Sequence, residues 1–100
     1  MKLRNYSKHN KPCQYEIRIH GRVQGVGFRY SARNQARSLG LKGWVENRSN
    51  GSVCSVIKGN REDCMKFLEW CRRGTGYSWV EKVDVREMEP EPFTSFRVRY

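Results

Sequence analysis

The residues best suited to chemistry lie between positions 21 and 30, which read Gly-Arg-Val-Gln-Gly-Val-Gly-Phe-Arg-Tyr. The glycines of this stretch permit positive φ and leave no Cβ to keep a ligand away. Because a helical pattern starts inside the stretch, several free backbone N–H groups and the positive end of the helix dipole point at one place. We expect this loop to hold a phosphoryl group, although many glycine-rich turns hold nothing.

Arg29 follows about one turn into the predicted helix, where its guanidinium can close over the same place. A planar fork of donors suits the oxygens of a phosphate and stays charged at any working pH. The alternative for Arg29 is an exposed helix arginine. No Gly-Lys-Ser/Thr follows the glycines, and Arg29 and Tyr30 stand where a dinucleotide fingerprint requires its third glycine. The stretch therefore disfavours Mg-nucleotide and NAD sites.

The bulk composition indicates one domain with an anionic partner. The chain has 100 residues, 37% of them hydrophobic, and a formal net charge of +10, which favours phosphate metabolites, nucleic acid or a membrane surface. No apolar run approaches the roughly 20 residues of a membrane span. Residues 1–11 lack the apolar core of a signal peptide. We therefore expect a cytoplasmic protein with a mobile basic tail over residues 1–12 and a single domain over residues 13–100.

The charged residues are unevenly distributed along the chain. Glu46 is the only acid between positions 17 and 50, and the later acids cluster from Glu62 to Glu91. The basic residues that flank the glycine-rich stretch are Arg18, Arg22, Arg29, Arg33, Arg37, Lys42 and Arg48. They form either a solvated basic face or a field that attracts an anion towards the loop.

The four cysteines do not indicate a metal site, since none forms a Cys-x-x-Cys or Cys/His pair at zinc spacing. Cys64 and Cys71 share a helical face with apolar residues and are interpreted as buried thiols. Cys13 and Cys54 fall on separate predicted strands, and a disulfide between them stays open at this stage. Cys54, Cys64 and Cys71 are not expected to be nucleophiles, since none has an adjacent basic partner at a suggestive spacing. His20, on the polar side of the first strand, is interpreted as structural.

The periodicity of apolar residues predicts seven elements, with period 2 in strands and 3.6 in helices. They are a strand over 15–23, a helix over 28–39 stopped by Gly40, a strand over 41–47, a hairpin turn at 49–51, a strand over 52–58, a helix over 60–73 capped by Asn60 and stopped by Gly74, a strand over 79–88 and a terminal strand over 96–100. This order predicts an α+β fold, a ferredoxin-like two-layer sandwich (βαββαβ plus a short C-terminal strand). Two helices would cover one face of a mostly antiparallel sheet and leave the other face in solvent.

The chain resembles the acylphosphatase family in two segments, GRVQGVGFR at residues 21–29 and LGLKGWVEN at residues 39–47. The turn at residues 50–51 and the ending at residues 96–100 are also similar, so that the resemblance covers residues 13–100. It implies a small ferredoxin-like hydrolase that converts an acyl phosphate to a carboxylate and inorganic phosphate. It also implies that no metal or other cofactor is needed, and we expect a monomer that does not bind membranes.

The resemblance further implies roles for single residues. Arg29 would bind the phosphate, and Asn47 would position the attacking water. The substrate phosphate would lie in a cradle formed by the backbone of Gln24, Gly25, Val26, Gly27, Phe28 and Arg29. Asn47 has an alternative role as a turn residue that merely starts the hairpin. Arg48, bulkier and more basic than the family pattern suggests, either tunes substrate choice or faces solvent.

A second function class stays open from the sequence alone. A basic ferredoxin-like domain can present aromatic side chains on its open sheet face and bind nucleic acid. Its candidate aromatics here are Tyr15, Trp44, Trp79 and Phe96. A phosphate-sensing module that has lost turnover is a third interpretation, and the presence of Asn47 argues against it. Nucleic-acid binding is the less favoured interpretation, since the strands lack the aromatic pattern of RNA-recognition modules.

Overall fold

We analysed a computed structural model, which describes residues 11–100. Most of the tail predicted over residues 1–12 therefore lies outside the described residues. The elements in chain order are β1 (Cys13–Arg22), α1 (Phe28–Ser38), β2 (Lys42–Asn47), β3 (Val53–Gly59), α2 (Arg61–Arg73), β4 (Trp79–Met88) and β5 (Phe96–Arg99). The predicted order is confirmed, and the predicted bounds differ from these by two residues at most.

The five strands form one sheet in the order β4-β1-β3-β2-β5. The pairs β1–β3, β1–β4 and β2–β3 are antiparallel, and only β5 runs parallel to its neighbour β2. Helix α1 packs on β2 and β5, whereas α2 packs on β1, β4 and β3. Two helices on one face of a mixed sheet confirm the ferredoxin-like sandwich, and β5 extends it beyond β2.

The helix-covered face of the sheet carries the main core. Alternate residues of β1, among them Ile17 and Ile19, are fully buried there, because strand side chains alternate between the two faces. Phe67 of α2 stacks near Trp70 and Phe96, with ring centroids 5.9 and 6.3 Å away. The contact between Phe67 and Phe96 joins α2 to the terminal strand, so that both elements share one core.

The opposite face, here called the helix-free face, is less open than the sequence predicts. It carries the side chains of residues 14, 16, 18 and 20 of β1, 42, 44 and 46 of β2, 54, 56 and 58 of β3, 82, 84, 86 and 88 of β4, and 97 and 99 of β5. Cys54 and Val56 are buried beneath this layer of longer side chains. Gln14 is buried because its amide donates to Glu91 Oε2 (2.8 Å) and accepts from the Glu91 backbone N–H (2.7 Å). The segment after β4 thus covers one end of this face.

The helix ends follow the predicted signals. Asn60 Oδ1 accepts a hydrogen bond from the Asp63 backbone N–H (2.9 Å), which satisfies one of the N–H groups that the first turn leaves free. Gly74 ends α2 with φ of 73°, and its N–H donates to the Trp70 carbonyl oxygen (2.8 Å). Arg72 and Arg73 lie in the last turn of α2, where positive charge is favourable.

All four cysteines are free thiols. Cys13 pairs with Gly59 and Cys54 pairs with Arg18 along β1 and β3, so the two cysteines are five positions apart, or roughly 16 Å at 3.3 Å per residue. That distance exceeds what a disulfide can span, and the open question of a Cys13–Cys54 bond is answered negatively. Burial raises the pKa of the Cys64 thiol to about 12 and raises the pKa of Cys71 as well.

Gly21 marks the point where β1 leaves regular pairing and becomes the glycine-rich loop. The register with β4 shifts between His20 and Gly21. Gly21 has φ of +133°, and a Cβ at this position would overlap the carbonyl oxygen of Trp79. The close approach of these two backbones therefore requires glycine.

Gly21→Ala is expected to lower the free energy of unfolding by about 2–4 kcal/mol, since both the backbone angle and the space oppose a side chain. Urea unfolding measures this change. Gly76→Ala is the matched control, because the space around Gly76 is open and its φ lies outside the left-handed region. A loss for Gly21→Ala no larger than the loss for Gly76→Ala would contradict the assigned strain.

Candidate active site

The candidate site lies at one end of the sheet, where β1, β2 and β5 finish and β3 begins. Asn47, the last residue of β2, pairs with Val53, the first residue of β3. Arg99, the last residue of β5, pairs with Glu46 beside it. Arg22 ends β1 at the same edge, from which the glycine-rich loop crosses over to α1. The topology thus brings the two segments singled out in the sequence to the same place.

The loop backbone turns at two glycines immediately before α1 begins. Gly25 and Gly27 adopt φ of 76° and 75°, and Gly27 occupies the N-cap of α1 in the left-handed region without any side-chain cap. The first hydrogen bond of the helix runs from the Ser31 N–H to the Gly27 carbonyl oxygen (3.1 Å). Among the described residues, the backbone N–H groups of residues 24–30 donate no hydrogen bond within the chain. They are available to an anion at the helix N-terminus.

The side chain of Gln24 fixes this loop to the β2–β3 hairpin. Its Nε2 donates to the carbonyl oxygens of Arg48 (2.7 Å) and Ser52 (2.8 Å). Both acceptors lie in the turn that follows Asn47. The amide therefore fixes the position of the loop relative to the end of β2. The sequence indicated only the backbone of Gln24 and did not predict this role of its side chain.

Arg29 is held from the side of β5. Its Nη1 donates to the Arg99 carbonyl oxygen (3.1 Å), and its guanidinium lies 5.0 Å from the ring centre of Tyr100. The hydroxyl of Tyr100 is hydrogen-bonded to that of Tyr30, which raises the pKa of Tyr100. Arg29 is therefore a positioned side chain and not a free surface arginine, since one donor and one ring face fix it and its other donors remain available.

Asn50, and not Asn47, makes the side-chain hydrogen bonds of the hairpin turn. Asn50 Oδ1 accepts from the backbone N–H of Ser52 (3.0 Å) and from its hydroxyl (2.6 Å), which is the turn chemistry of the hairpin. The Asn47 side chain is exposed and makes no hydrogen bond with any other described residue. Its amide is therefore available to an external water or ligand.

Arg48 packs against its own hairpin. Its Nε lies 3.0 Å from Glu46 Oε2, and a hydrogen bond with the Cys54 thiol raises the pKa of its guanidinium. Cys54 thus has a basic neighbour that is six positions away in the sequence and that sequence spacing did not indicate. Burial nevertheless raises the pKa of the Cys54 thiol, although the Arg48 guanidinium acts in the opposite direction. Cys54 is thus a buried neutral thiol and not a nucleophile.

The seven basic residues around the loop do not form one cluster directed at it. Lys42 begins β2 at the opposite end of the sheet, and Arg18 lies on the helix-free face beside Glu16. Arg37 donates from Nη2 to the Phe96 carbonyl oxygen (2.9 Å) and so joins α1 to β5. His20 contacts Asp84 (3.1 Å) on the helix-free face. Charge counting along the sequence could not separate these cross-strand partners from residues near the loop.

Within residues 11–100, no helix is both long enough and apolar enough to cross a membrane. No three His, Cys, Asp or Glu side chains in the same part of the chain come together in a way that could hold a metal ion.

Comparison with known proteins shows that the chain is similar to acylphosphatases. The profile of the family described as Acylphosphatase matches residues 15–98. An acylphosphatase of Moorella thermoacetica is 48% identical over 81 residues, which cover 81% of this chain and 87% of that protein. One of Thermococcus kodakarensis is 42% identical and covers 88% and 97% of the two chains. The crystal structure of acylphosphatase from Bacillus subtilis superposes with a TM-score of 0.86 at 37% identity, covering 88% of this chain and 99% of that one.

Proposed function

Because this chain belongs to the acylphosphatase family, and is therefore a hydrolase of acid anhydrides, we propose that Asn47 and Arg29 carry its catalysis. In this proposal Asn47 positions a water that attacks the phosphoryl group of a small acyl phosphate. Arg29 and the backbone of residues 24–29 hold that group. The observation that carries the proposal is the convergence, at one end of the sheet, of unused N–H groups, a positioned guanidinium and an unengaged amide.

The chemistry of the leaving group explains why so few residues suffice. In an acyl phosphate, phosphorus is joined to a carboxyl oxygen, and the acid that departs has a pKa of roughly 4. Such a group leaves as the carboxylate and does not need a proton. The water oxygen forms the new bond to phosphorus while the bond to the acyl oxygen breaks and its electron pair leaves with the carboxylate. The water proton passes to a phosphoryl oxygen, so that no protein acid or base is required.

Stabilisation of the transferred group falls to the loop and Arg29. Phosphoryl transfer passes through a loose transition state whose negative charge spreads over the equatorial oxygens. Fixed N–H donors and a guanidinium that is already oriented stabilise this charge without reorganising during the reaction. The contacts of Arg29 with the Arg99 carbonyl oxygen and the Tyr100 ring supply that orientation.

Placement of the water falls to Asn47. A neutral amide both accepts and donates hydrogen bonds without changing its charge. It therefore orients the water without adding a negative charge that would repel the phosphate. Fixing the attacking group beside its target removes much of the entropic cost of bringing the two together. Gln24 contributes by tying the loop to the hairpin that follows Asn47.

The proposal is tested with two substrates that differ mainly in their leaving groups. Benzoyl phosphate releases a carboxylate, whereas phenyl phosphate releases a phenol with a pKa of roughly 10. With EDTA present, the chain is expected to hydrolyse benzoyl phosphate and to leave phenyl phosphate essentially unchanged, since the site offers no proton donor to the phenolate. Hydrolysis of both substrates at similar rates would contradict the proposed mechanism.

Gln24→Ala is expected to lower kcat/KM for benzoyl phosphate about tenfold, because the loop and Asn47 lose their fixed separation. Steady-state kinetics measures the change, with most of it expected in kcat. Gln35→Ala provides a matched control, since Gln35 lies on α1 and its side chain makes no hydrogen bond with the described residues. Equal effects of the two substitutions on kcat/KM would contradict the positioning role assigned to Gln24.

A further inference from the structure

The helix-free face has an arrangement of charge that the hydrolysis of a small anhydride does not use. Three carboxylates lie on this face, and each is placed between two basic side chains. Arg18 and Arg86 contact Glu16 (3.3 and 3.2 Å), Arg48 and Arg99 contact Glu46 (3.0 and 3.3 Å), and His20 and Lys82 contact Asp84 (3.1 and 3.8 Å). Glu16 and Glu46 each neutralise one of their two basic partners, so one positive charge remains beside each of them. Asp84 is balanced by Lys82, and His20 adds charge there only when it is protonated.

Three further basic side chains on this face form no salt bridge with the described residues. Lys58 of β3 donates to the Glu91 backbone carbonyl oxygen. Arg97 is exposed and donates only to the Ser95 hydroxyl (3.2 Å), and Lys42 is exposed at the start of β2. Arg97 and Lys42 lie towards the β2–β5 edge of the sheet. The unneutralised charge is thus greatest on that side.

A groove with stacking surfaces runs along the same edge. It is lined by Gly43, Trp44, Pro92, Phe93, Thr94, Ser95, Arg97 and Arg99. The Arg99 guanidinium lies 4.2 Å from the ring centre of Trp44. The outer plane of a guanidinium stacked on an aromatic ring is a surface on which an unpaired base can stack.

We propose that the helix-free face, from this groove across to Arg18 and Arg86, binds single-stranded nucleic acid. The backbone phosphates contact the surplus basic groups, and one base stacks on the Arg99–Trp44 pair. The binding surface is distinct from the phosphate loop, because that loop lies at the end of the sheet and the groove lies on its face. The two sites meet at Arg99, whose carbonyl oxygen accepts from Arg29 and whose guanidinium stacks on Trp44.

The surface fits this partner better than it fits an acidic protein segment. An acidic segment would be satisfied by charge alone and would make no use of the stacked Arg99–Trp44 pair. Of the four aromatics considered from the sequence, Tyr15 and Phe96 are buried in the core on the other face, and Trp79 is exposed at the start of β4, on the opposite edge of the sheet. Trp44 is therefore the one of the four that lines the groove. Binding is therefore expected to depend little on base sequence, since every base has a face that can stack.

Salt dependence gives the first measurable consequence. Two to four phosphate contacts with a single strand predict that log K falls against log salt concentration with a slope of about −1.4 to −2.8. Arg97→Ala should reduce the magnitude of that slope by about 0.7, the contribution of one phosphate. Fluorescence anisotropy of a labelled 20-nucleotide oligo-dT or oligo-U measures the salt slope of the native chain and of Arg97→Ala. Inorganic phosphate is added at millimolar concentration to occupy the loop of the hydrolase site.

A charge-matched pair of double variants locates the binding surface. Lys42→Glu with Arg97→Glu should weaken binding tenfold or more at 50 mM salt. Lys66→Glu with Arg72→Glu makes the same change in net charge on α2, on the other side of the sheet, and should weaken binding less than threefold. Trp44→Ala should weaken binding about fivefold or more without changing the salt slope. Hydrolysis of benzoyl phosphate by each variant reports that the fold and the other site are intact.

Several results would overturn the assignment. Equal weakening by the two double variants would indicate a general field of the basic chain and no binding surface. Displacement by inorganic phosphate, or loss of binding in Arg29→Ala, would place the oligonucleotide in the hydrolase site. Equally tight binding of polyglutamate would make the partner an acidic polymer in general. An absence of binding at 50 mM salt would also refute the proposal.

Discussion

Replacing Arg29 with alanine is expected to lower kcat/KM for benzoyl phosphate by at least about two orders of magnitude. The substitution removes the only side-chain cation that the proposal places against the transferred phosphoryl group. Loss of a comparable electrostatic donor from an enzyme site costs about 3–4 kcal/mol of transition-state stabilisation. Inhibition by inorganic phosphate should weaken in parallel, because phosphate uses the same guanidinium.

Arg33→Ala is a control that the helix itself provides. Arg33 lies one turn further along α1, and its guanidinium also faces a tyrosine, 5.2 Å from the ring centre of Tyr30. Both substitutions remove one positive charge from the same helix. Arg29→Lys keeps the charge but loses the planar fork and should fall between the native chain and Arg29→Ala. A comparable loss of activity in Arg33→Ala would indicate the field of the helix and not a contact by Arg29.

Replacing Asn47 with alanine is expected to lower kcat by about a hundredfold or more while the affinity for inorganic phosphate stays near that of the native chain. The proposal gives Asn47 the water and gives Arg29 the phosphate, so the two functions should separate. A misplaced nucleophile can cost about 10² in rate even when the substrate still binds. Steady-state kinetics with phosphate as a competitive inhibitor measures both quantities.

Asn50→Ala tests whether Asn47 acts through turn stability. Asn50 makes the side-chain hydrogen bonds of the hairpin, so its loss should reduce the free energy of unfolding by about 1 kcal/mol with a smaller effect on kcat. Asn47→Ala should show the reverse, with kcat reduced and stability unchanged. If Asn47→Ala destabilised the chain as Asn50→Ala does and retained its kcat, Asn47 would be a turn residue.

Much of the fold could be predicted because its signals are local. The alternation of Ile17 and Ile19 reports one buried sheet face, and the glycine at position 74 stops a helix wherever that helix packs. The burial of Gln14 could not be predicted, since it depends on Glu91, 77 residues away along the chain. Because such distant contacts are invisible in the sequence, the helix-free face was predicted to be more open than it is.

The candidate site also has a part that the sequence predicts and a part that it does not. The motif at residues 21–29 singled out Arg29, but nothing local to Arg29 indicates that the Arg99 carbonyl oxygen and the Tyr100 ring hold it. Gln24 likewise finds its acceptors, the Arg48 and Ser52 carbonyl oxygens, only when the β2–β3 hairpin packs beside the loop. Sequence patterns identify which side chains can react. The contacts that orient them come from strand order, which short-range patterns do not encode.

The position of β5 also bears on the kinetics of folding. It is the last strand in the chain, yet it pairs with β2, which ends about fifty residues earlier, and its carbonyl oxygen at residue 99 holds Arg29 across 70 positions. Closing so long a loop costs entropy before any contact repays it, and pairings of this range form slowly. The hairpin of β2 and β3 closes over a few residues and forms early by comparison. We therefore expect Asn47 and its turn to form before Arg29 is fixed, so that enzymatic competence is among the last properties to appear as the protein folds.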